Sequence, residues 1–352
     1  MTWTDHIDAS TNSEAVIILG MGPQALFLLR SLQNTGKKIY LIGSKSYYAY
    51  LSRFGNKIIR TNYASIRQAV EDIREQFGSD TPVLISGGSS LDFAITNLDD
   101  AIVNIFPHPF SSLRVLNHKK KITGWLAEQK NLNYFYLPTY SWSQMSTYDG
   151  FPVLAKWDSS AQAIFKTKIL SNYSNWKTFS NLYAGYAESL VFQPYISSSK
   201  FYHLGGWFQN GKLNEHVIAE EVRQNPVGMA SMLHRYDGKW VSDFYLIIDE
   251  IMKHFPVTGF VQFEFIEDLK QQKLYFLECN ARPWGSMDFL HFRTANESIV
   301  AVNFLKDLSN CQSDAGIFQR LMAVIKSDKL HFRWYDPLPV LAPLINYLFA
   351  ND

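Results

Sequence analysis

The residues best equipped for chemistry concentrate in one stretch of the chain. Val261-Gln262-Phe263-Glu264-Phe265-Ile266, a polar segment from Glu267 to Lys273, and Leu274-Tyr275-Phe276-Leu277-Glu278-Cys279-Asn280 read as two strands joined by a turn, because both runs alternate. With the turn centred near Lys270, Glu264 falls opposite Phe276 and diagonal to Glu278, and both carboxylates share a face with Asn280. Two carboxylates and an amide offer oxygen donors suited to a hard divalent cation such as Mg2+, with phosphate oxygens filling its other positions. Arg282 continues the alternation to the same side, where its guanidinium fork could grip a phosphoryl group. Taken singly, each glutamate is an ordinary solvated strand residue. Taken together, among almost only large apolar neighbours, two like charges on one buried face call for a cation.

Glu278-Cys279-Asn280-Ala281-Arg282-Pro283-Trp284-Gly285-Ser286 resembles the E-x-N-x-R-x-W-G-S signature of the ATP-grasp superfamily of carboxylate-amine ligases, relatives of biotin carboxylase, carbamoyl phosphate synthase and D-aspartate ligase. Gly259 to Phe265 resembles the strand that precedes it. The resemblance implies that Glu264, Glu278 and Asn280 ligate Mg2+ (or Mn2+), and that Arg282 meets the γ-phosphate of ATP and an acyl phosphate. Phe151-Pro152-Val153-Leu154-Ala155-Lys156 is similar to the family's Y-P-V-V-x-K-P strand, which makes Lys156 a contact to the α- and β-phosphates. His118-Lys119-Lys120 stands where the family has a D-K helix: Lys119 matches by spacing, Lys120 is one residue off, and His118 replaces the Asp. Glu188 to Ile196 resembles the hinge strand that reads the adenine edge, with Gln193 and Tyr195 at the matching positions. Glu221-Val222-Arg223-Gln224-Asn225-Pro226 is similar to a K-x-R-Q-x-P run, where Arg223 would face phosphate or the acyl group; the alternative is a surface charge. After Lys156 the family often carries a Gly-rich loop over the phosphates, whereas Trp157 to Ala163 contains no glycine.

The implied fold is α/β, an ATP-grasp fold preceded by a Rossmann-like parallel-sheet domain, divided into 1–110, 111–198 and 199–352. The implied activity is an ATP-dependent ligation of a carboxylate and an amine through an acyl phosphate, releasing ADP and phosphate. Three other readings stand beside it. An ATP-grasp kinase or carboxylase would share every nucleotide residue and differ only in its acceptor, so product analysis separates it. An inactive nucleotide-binding module follows from the missing Gly-rich loop and from His118, and an NAD-dependent oxidoreductase follows from Gly20 and Gly22 alone.

The elements that must carry these residues are legible in the apolar periodicity. Val16 to Leu19, Lys38 to Ile42 and Pro82 to Ser86 are strand-like runs, Ala25, Leu26, Leu28, Leu29 and Leu32 recur at helical spacing, and Ser65 to Phe77 is an amphipathic helix. Strands alternating with helices predict a parallel, doubly wound sheet over about 14–106. A Lys-rich helix over about 111–129 comes next, then strands at Phe151–Lys156 and Ser189–Ile196, a hairpin turning at Gly211, and a helix from about Ser242 to His254. Gly20-Met21-Gly22-Pro23-Gln24-Ala25 fits a dinucleotide fingerprint, but the second strand ends in Ile42-Gly43-Ser44, without the acid that would hold a ribose. The glycines then serve a tight strand-to-helix turn whose N–H groups could hold an anionic substrate group.

Composition narrows the classes. The 352 residues are 47% apolar and 18% charged, with 33 basic and 32 acidic side chains, which excludes disorder, collagen and coiled coil. A net charge of +1, with no basic block longer than Lys119-Lys120-Lys121, leaves no footprint for nucleic acid or an anionic membrane. Cys279 and Cys311 are too few for a disulfide framework or a Cys-based zinc site, the His residues lack H-x-x-x-H spacing, and Ser86-Gly87-Gly88-Ser89-Ser90 is no nucleophile elbow. The first 14 residues lack the apolar core of a signal peptide, and Val340 to Ala350 falls short of the ~20 residues of a membrane span. The expectation is a cytoplasmic protein that takes small-molecule carboxylate and amine substrates. The aromatic tail Phe332-Arg333-Trp334-Tyr335 favours a homodimer, and substrate contacts among Ser86 to Ser90, His203, Trp207 and His291 stay open.

Overall fold

The structure, a computed structural model, describes residues 3–9, 11–44, 47–98, 104–159, 165, 167–224, 230–284, 287 and 299–301. Gly285, Ser286, His291, Cys311 and the C-terminal aromatic tail lie outside the described residues. The chain opens with α1 (Trp3–Ala9), β1 (Ala15–Leu19), α2 (Pro23–Leu32), β2 (Lys38–Gly43), α3 (Tyr47–Tyr50), β3 (Asn56–Ile59), α4 (Tyr63–Phe77), β4 (Val83–Ile85), α5 (Gly88–Asn97) and β5 (Ile105–Phe106). The five strands form a parallel sheet in the order β3-β2-β1-β4-β5. All of β1 is buried, as a continuous apolar run requires when helices cover both faces. α2 starts on Pro23 directly after Gly22, and Asn62 Oδ1 caps α4 by accepting from the Ser65 amide (2.8 Å). Gly20 has φ +108°, and a Cβ there would lie 2.3 Å from Ser86 Oγ, so this turn needs glycine.

The Lys-rich stretch forms two helices, α6 (Phe110–Leu116) and α7 (Lys119–Glu128), instead of the single helix expected over 111–129. The break falls at Asn117 and His118. Asn117 Nδ2 donates to Leu113 O (3.1 Å) while its Oδ1 accepts from the Ala281 amide (3.1 Å), which ties the junction to the end of the carboxylate-bearing hairpin.

A three-stranded antiparallel sheet follows, in the order β7-β6-β8, from β6 (Val153–Trp157), β7 (Thr167–Leu170) and β8 (Leu190–Pro194), with α8 (Tyr173–Tyr183) between β7 and β8. Its own core is aromatic: Trp176, Phe179 and Phe192 gather with Trp142. The last unit is β9 (Ser199–Gln209), β10 (Lys212–Gln224), β11 (Ala230–Arg235), α9 (Val241–His254), β12 (Gly259–Asp268), β13 (Lys273–Asn280) and β14 (Ile299–Ala301). It makes a six-stranded antiparallel sheet in the order β13-β12-β9-β10-β11-β14. α9 buries Phe244, Ile247, Ile248, Ile251 and Met252 in the core that also takes Phe263, Phe265 and Phe276 from the hairpin. Leu113, Leu116, Ile122 and Leu126 of α6 and α7 join that same core, and both helices pack against β13.

The opposite face of the six-stranded sheet does two jobs along its length. Trp207 and Phe260 are register partners at one end, and with Trp3 and Phe27 they dock the N-terminal sheet (Trp207–Phe260 4.9 Å, Trp3–Phe260 5.2 Å between ring centroids). His203 and Glu264 are partners at the other end, where the face turns polar.

Candidate functional site

Glu264 and Glu278 are direct partners across the β12–β13 ladder, not diagonal neighbours. The correction has two sources. The turn spans 269–272, with Gln272 at φ +49°, so Phe265 rather than Glu264 faces Phe276. A bulge then sets Glu264 against Glu278, leaving Leu277 as the extra residue, and carries the alternation on so that Gln262 pairs with Asn280. The expected gathering of Glu264, Glu278 and Asn280 on one face therefore holds, with the carboxylates closer than the sequence register gave. Asn280 Nδ2 donates to Glu264 Oε1 (2.9 Å) and to Glu278 Oε1 (3.2 Å), and Arg282 Nη2 donates to Asn280 Oδ1 (2.9 Å).

Two lysines reach this carboxylate pair from other elements. Lys119, the first residue of α7, places Nζ 3.2 Å from Glu278 Oε2. Lys156, on β6, is buried, and its ammonium interacts with Glu278, Glu264 and Glu221. Lys120, the other lysine left open by the spacing, contributes its backbone amide to Asp158 Oδ1 instead (2.8 Å). Gln193 shares a sheet face with Lys156, because Leu154 pairs with Gln193 and Lys156 with Val191. Its Nε2 donates to Thr139 Oγ1 (3.1 Å), while its Oε1 is buried and has no hydrogen-bond partner among the described residues. Tyr195, two residues on, is half-buried and donates its amide to Pro152 O (3.0 Å). Arg223 pairs with Met232 at an irregular step of the β10–β11 ladder, and its side chain lies outside the described residues.

Burial and charge set the protonation of the pair. Burial pushes the Glu264 carboxyl up and the facing Glu278 pushes it further, to about 7, against the pull of His203. Burial acts upward on Glu278 too, but Lys119 and Lys156 outweigh it and bring that carboxyl down to about 2. Burial lowers the Lys156 ammonium and the Arg282 guanidinium, and in both cases Glu278 and Glu264 oppose it. The site thus gathers cations and anions that one another's charge holds in partly buried positions.

Three further residues belong to this face. His203 Nε2 bonds Glu221 Oε1, and Gln262 Nε2 meets His203 Nδ1 (3.0 Å). Burial draws the His203 imidazole down, but Glu221 overcomes it and raises it to about 9. The sequence reading leaves His203 open and reaches neither Gln262 nor Glu221 as site residues. The available signal is the polar alternation of Gln262 and Glu264 inside an otherwise apolar strand. Cys279 points the other way, buried in the core, where its thiol is pushed well above the ordinary range.

The donor set fits a divalent cation bridged to phosphate. Asn280 Nδ2 hydrogen-bonds both carboxylates and Lys119 Nζ offsets the charge of Glu278, while burial and Glu278 still hold Glu264 back from ionising. Among the described residues no three His, Cys, Asp or Glu side chains gather as a metal site. A concavity of about 520 Å3 on the three-stranded unit, lined by Tyr148, Phe151, Asn172 and Tyr173, contains none of these residues.

No family model matches the sequence, and no curated protein does either. Solved structures do match. The biotin carboxylase domain of Hydrogenobacter thermophilus 2-oxoglutarate carboxylase, a dimer holding MgADP, ADP and bicarbonate, is similar at 14% identity and a TM-score of 0.61 over 78% of this chain. Pyruvate carboxylase of Rhizobium etli is similar at 11% identity and 0.64 over 84%, and the N5-carboxyaminoimidazole synthetase of Staphylococcus aureus, with ADP bound, at 15% and 0.60 over 79%. The chain has the ATP-grasp fold. It spans 65% of the Hydrogenobacter chain, 28% of the Rhizobium chain and 72% of the Staphylococcus chain. The expected parallel N-terminal sheet is present, and two antiparallel sheets follow it.

Proposed function

We propose that the chain is an ATP-dependent ligase that joins a small-molecule carboxylate to an amine. The observation that carries this reading is the half-buried Glu264–Glu278 pair met by Lys119 and Lys156 from two separate elements. Bound MgATP would supply an activated phosphoryl group and a divalent charge between its phosphates. Glu264, Glu278 and the Asn280 amide would hold the metal, and Asn280 would have to turn its Oδ1 towards it. Lys119 and Lys156 neutralise phosphate oxygens, and the orphaned Gln193 Oε1 accepts from the amino edge of the adenine, with Tyr195 beside it. The substrate carboxylate takes the γ-phosphoryl group to give an acyl phosphate and ADP. Amine attack then expels phosphate and leaves an amide. Arg282 and Arg223 stabilise the charge that builds on the acyl oxygen, which is the contribution such a transfer needs in place of a strong base.

In this reading the chain divides into 1–110, 111–198 and 199–352, works as a homodimer, and binds neither nucleic acid nor membrane. Among the described residues no helix is long and apolar enough to cross a membrane. The test is calorimetric titration with MgATP, followed by phosphate release with paired carboxylates and amines. ADP and phosphate released only with both partners present is the expected result. Binding without release under every pair favours the inactive nucleotide-binding module, and no nucleotide binding overturns the proposal. NAD binding loses ground because β2 ends in Ile42-Gly43, where a dinucleotide site would carry the acid that holds the ribose.

A further inference from the structure

Helix α7 begins at Lys119, and its capping position is His118, whose side chain caps nothing in its own helix. The first N–H groups of a helix need acceptors from elsewhere. Here they come from one residue beyond the end of β6. Asp158 Oδ1 accepts from the Lys120 amide (2.8 Å), and its carbonyl oxygen accepts from the Lys119 amide (3.2 Å). The second carboxylate oxygen, Oδ2, accepts from His118 Nδ1 (2.9 Å). Asp158 is itself fixed, since its amide donates to Ser189 O (2.8 Å) and so prolongs the β6–β8 pairing.

We infer that Asp158, held by His118, is a positioning residue that caps α7 from the facing unit and thereby sets Lys119 and Lys156 at the spacing two phosphate contacts require. This rests on the reading of those lysines as phosphate ligands. Asp158 lies two residues after Lys156 and caps the turn that begins with Lys119, so a short run of backbone and hydrogen bonds joins the two positions that carry the ammonium groups, and Lys119 Nζ ends against Glu278 (3.2 Å). The side chain of Asp158 is 15% exposed and that of His118 37%, so the contact is shielded on the acid's side. Burial pushes the Asp158 carboxyl up, and the hydrogen bonds from His118 and the Lys120 amide outweigh it and hold it below its ordinary value. A negative carboxylate at this place also meets the positive end of α7.

Two departures from the family pattern become one arrangement. His118 stands where an Asp is usual, and Asp158 stands in the segment where glycines are usual. The carboxylate missing at 118 is supplied from 158, and the imidazole at 118 is its hydrogen-bond donor. Neither residue explains itself alone.

The test uses the full chain with MgADP and adenosine as calorimetric probes, and amide hydrogen exchange on the nucleotide-free protein. Asp158→Ala is expected to weaken MgADP about tenfold and to speed exchange of the Lys120 amide by at least about tenfold, the scale of a lost charged cap. Adenosine, which has no phosphate, keeps its affinity. Asp158→Asn retains an acceptor for the Lys120 amide and loses less than about threefold, and the exchange His118→Asp with Asp158→His recovers part of the Asp158→Ala loss. MgADP affinity unchanged in Asp158→Ala, adenosine and MgADP weakened alike, or an unchanged Lys120 amide each overturns the inference while leaving the ligase reading standing. A wild-type chain that binds adenosine but gains nothing from the phosphates of MgADP removes the lysine reading and this inference with it.

Discussion

Glu264→Gln keeps the shape of the side chain and removes one of two facing charges. In the metal-free protein burial and then Glu278 push the Glu264 carboxyl from its ordinary 4.5 to about 7. The folded chain therefore keeps a proton that the unfolded chain has released, and stability falls as pH rises from about 4.5 to about 7 and stays low above it. The span of 7 − 4.5 = 2.5 corresponds to at most about 3 kcal/mol, at ~1.36 kcal/mol each. Relaxation of Lys119 and Asn280 around the pair brings the expected effect to about 1–2 kcal/mol. Glutamine carries no such penalty, so at pH 8 without metal the variant should be about 1–2 kcal/mol more stable than wild type, and at pH 5, close to the ordinary carboxyl value, the gap should shrink to less than about 1 kcal/mol. The same change deletes an anionic oxygen, and Mg2+-dependent ATP binding should drop at least about 100-fold, a loss of a charged ligand in a partly buried site. Urea unfolding in EDTA at both pH values, with calorimetry of MgATP, measures both arms. A variant less stable than wild type at pH 8, or one that keeps full MgATP affinity, would refute the idea that like charges are stored here for a cation.

Lys156→Met preserves the buried stem and removes the charge, and calorimetry should show MgATP affinity down at least about 100-fold with adenosine affinity retained. Gln193→Leu removes the orphaned Oε1, and competition titrations should show the preference for adenine over guanine nucleotides reduced about tenfold, the worth of one hydrogen bond. Gly205→Ala sets a Cβ 2.3 Å from the Trp284 ring, and thermal unfolding should register a loss of about 1–3 kcal/mol.

Much of this was legible because the hairpin's pattern is strict. Alternating polar residues mark one face of each strand, and a turn centred near Lys270 groups Glu264, Glu278 and Asn280 on a common face; the observed pairing starts one residue out of step, and the bulge at Leu277 restores that face. Their register could not be read, because the bulge at Leu277 costs one residue that no alternation announces until Asn280 is reached. The split of the Lys-rich helix was hidden for a related reason. Asn117 breaks it to meet Ala281, a contact 164 residues away along the chain. His203, Gln262 and Glu221 are united only by the pairing of β9 with β10 and β12, which is long-range information. The N-terminal sheet was readable for the opposite reason, since each of its strands announces itself locally as an apolar run ending at a turn.

Where Arg282 points is decided by packing rather than by charge. On the face shared by β9 and β12, His203–Glu264, Gly205–Gln262 and Trp207–Phe260 are successive register pairs, so a glycine separates the polar end from the aromatic end. The Trp284 ring fills the space that a side chain at 205 would take. Trp284 stands two residues after Arg282, and the segment between is short: Arg282 donates its amide to Asn280 O (2.8 Å) and Nη1 to Pro283 O (3.2 Å). Anchoring the indole over Gly205 therefore anchors the guanidinium beside Asn280, whose Oδ1 it holds. An apolar contact thus fixes the arginine that meets a phosphoryl group in the proposed reading, and a Cβ at 205 should disturb phosphate-dependent binding along with stability, though neither glutamate nor either lysine has been touched.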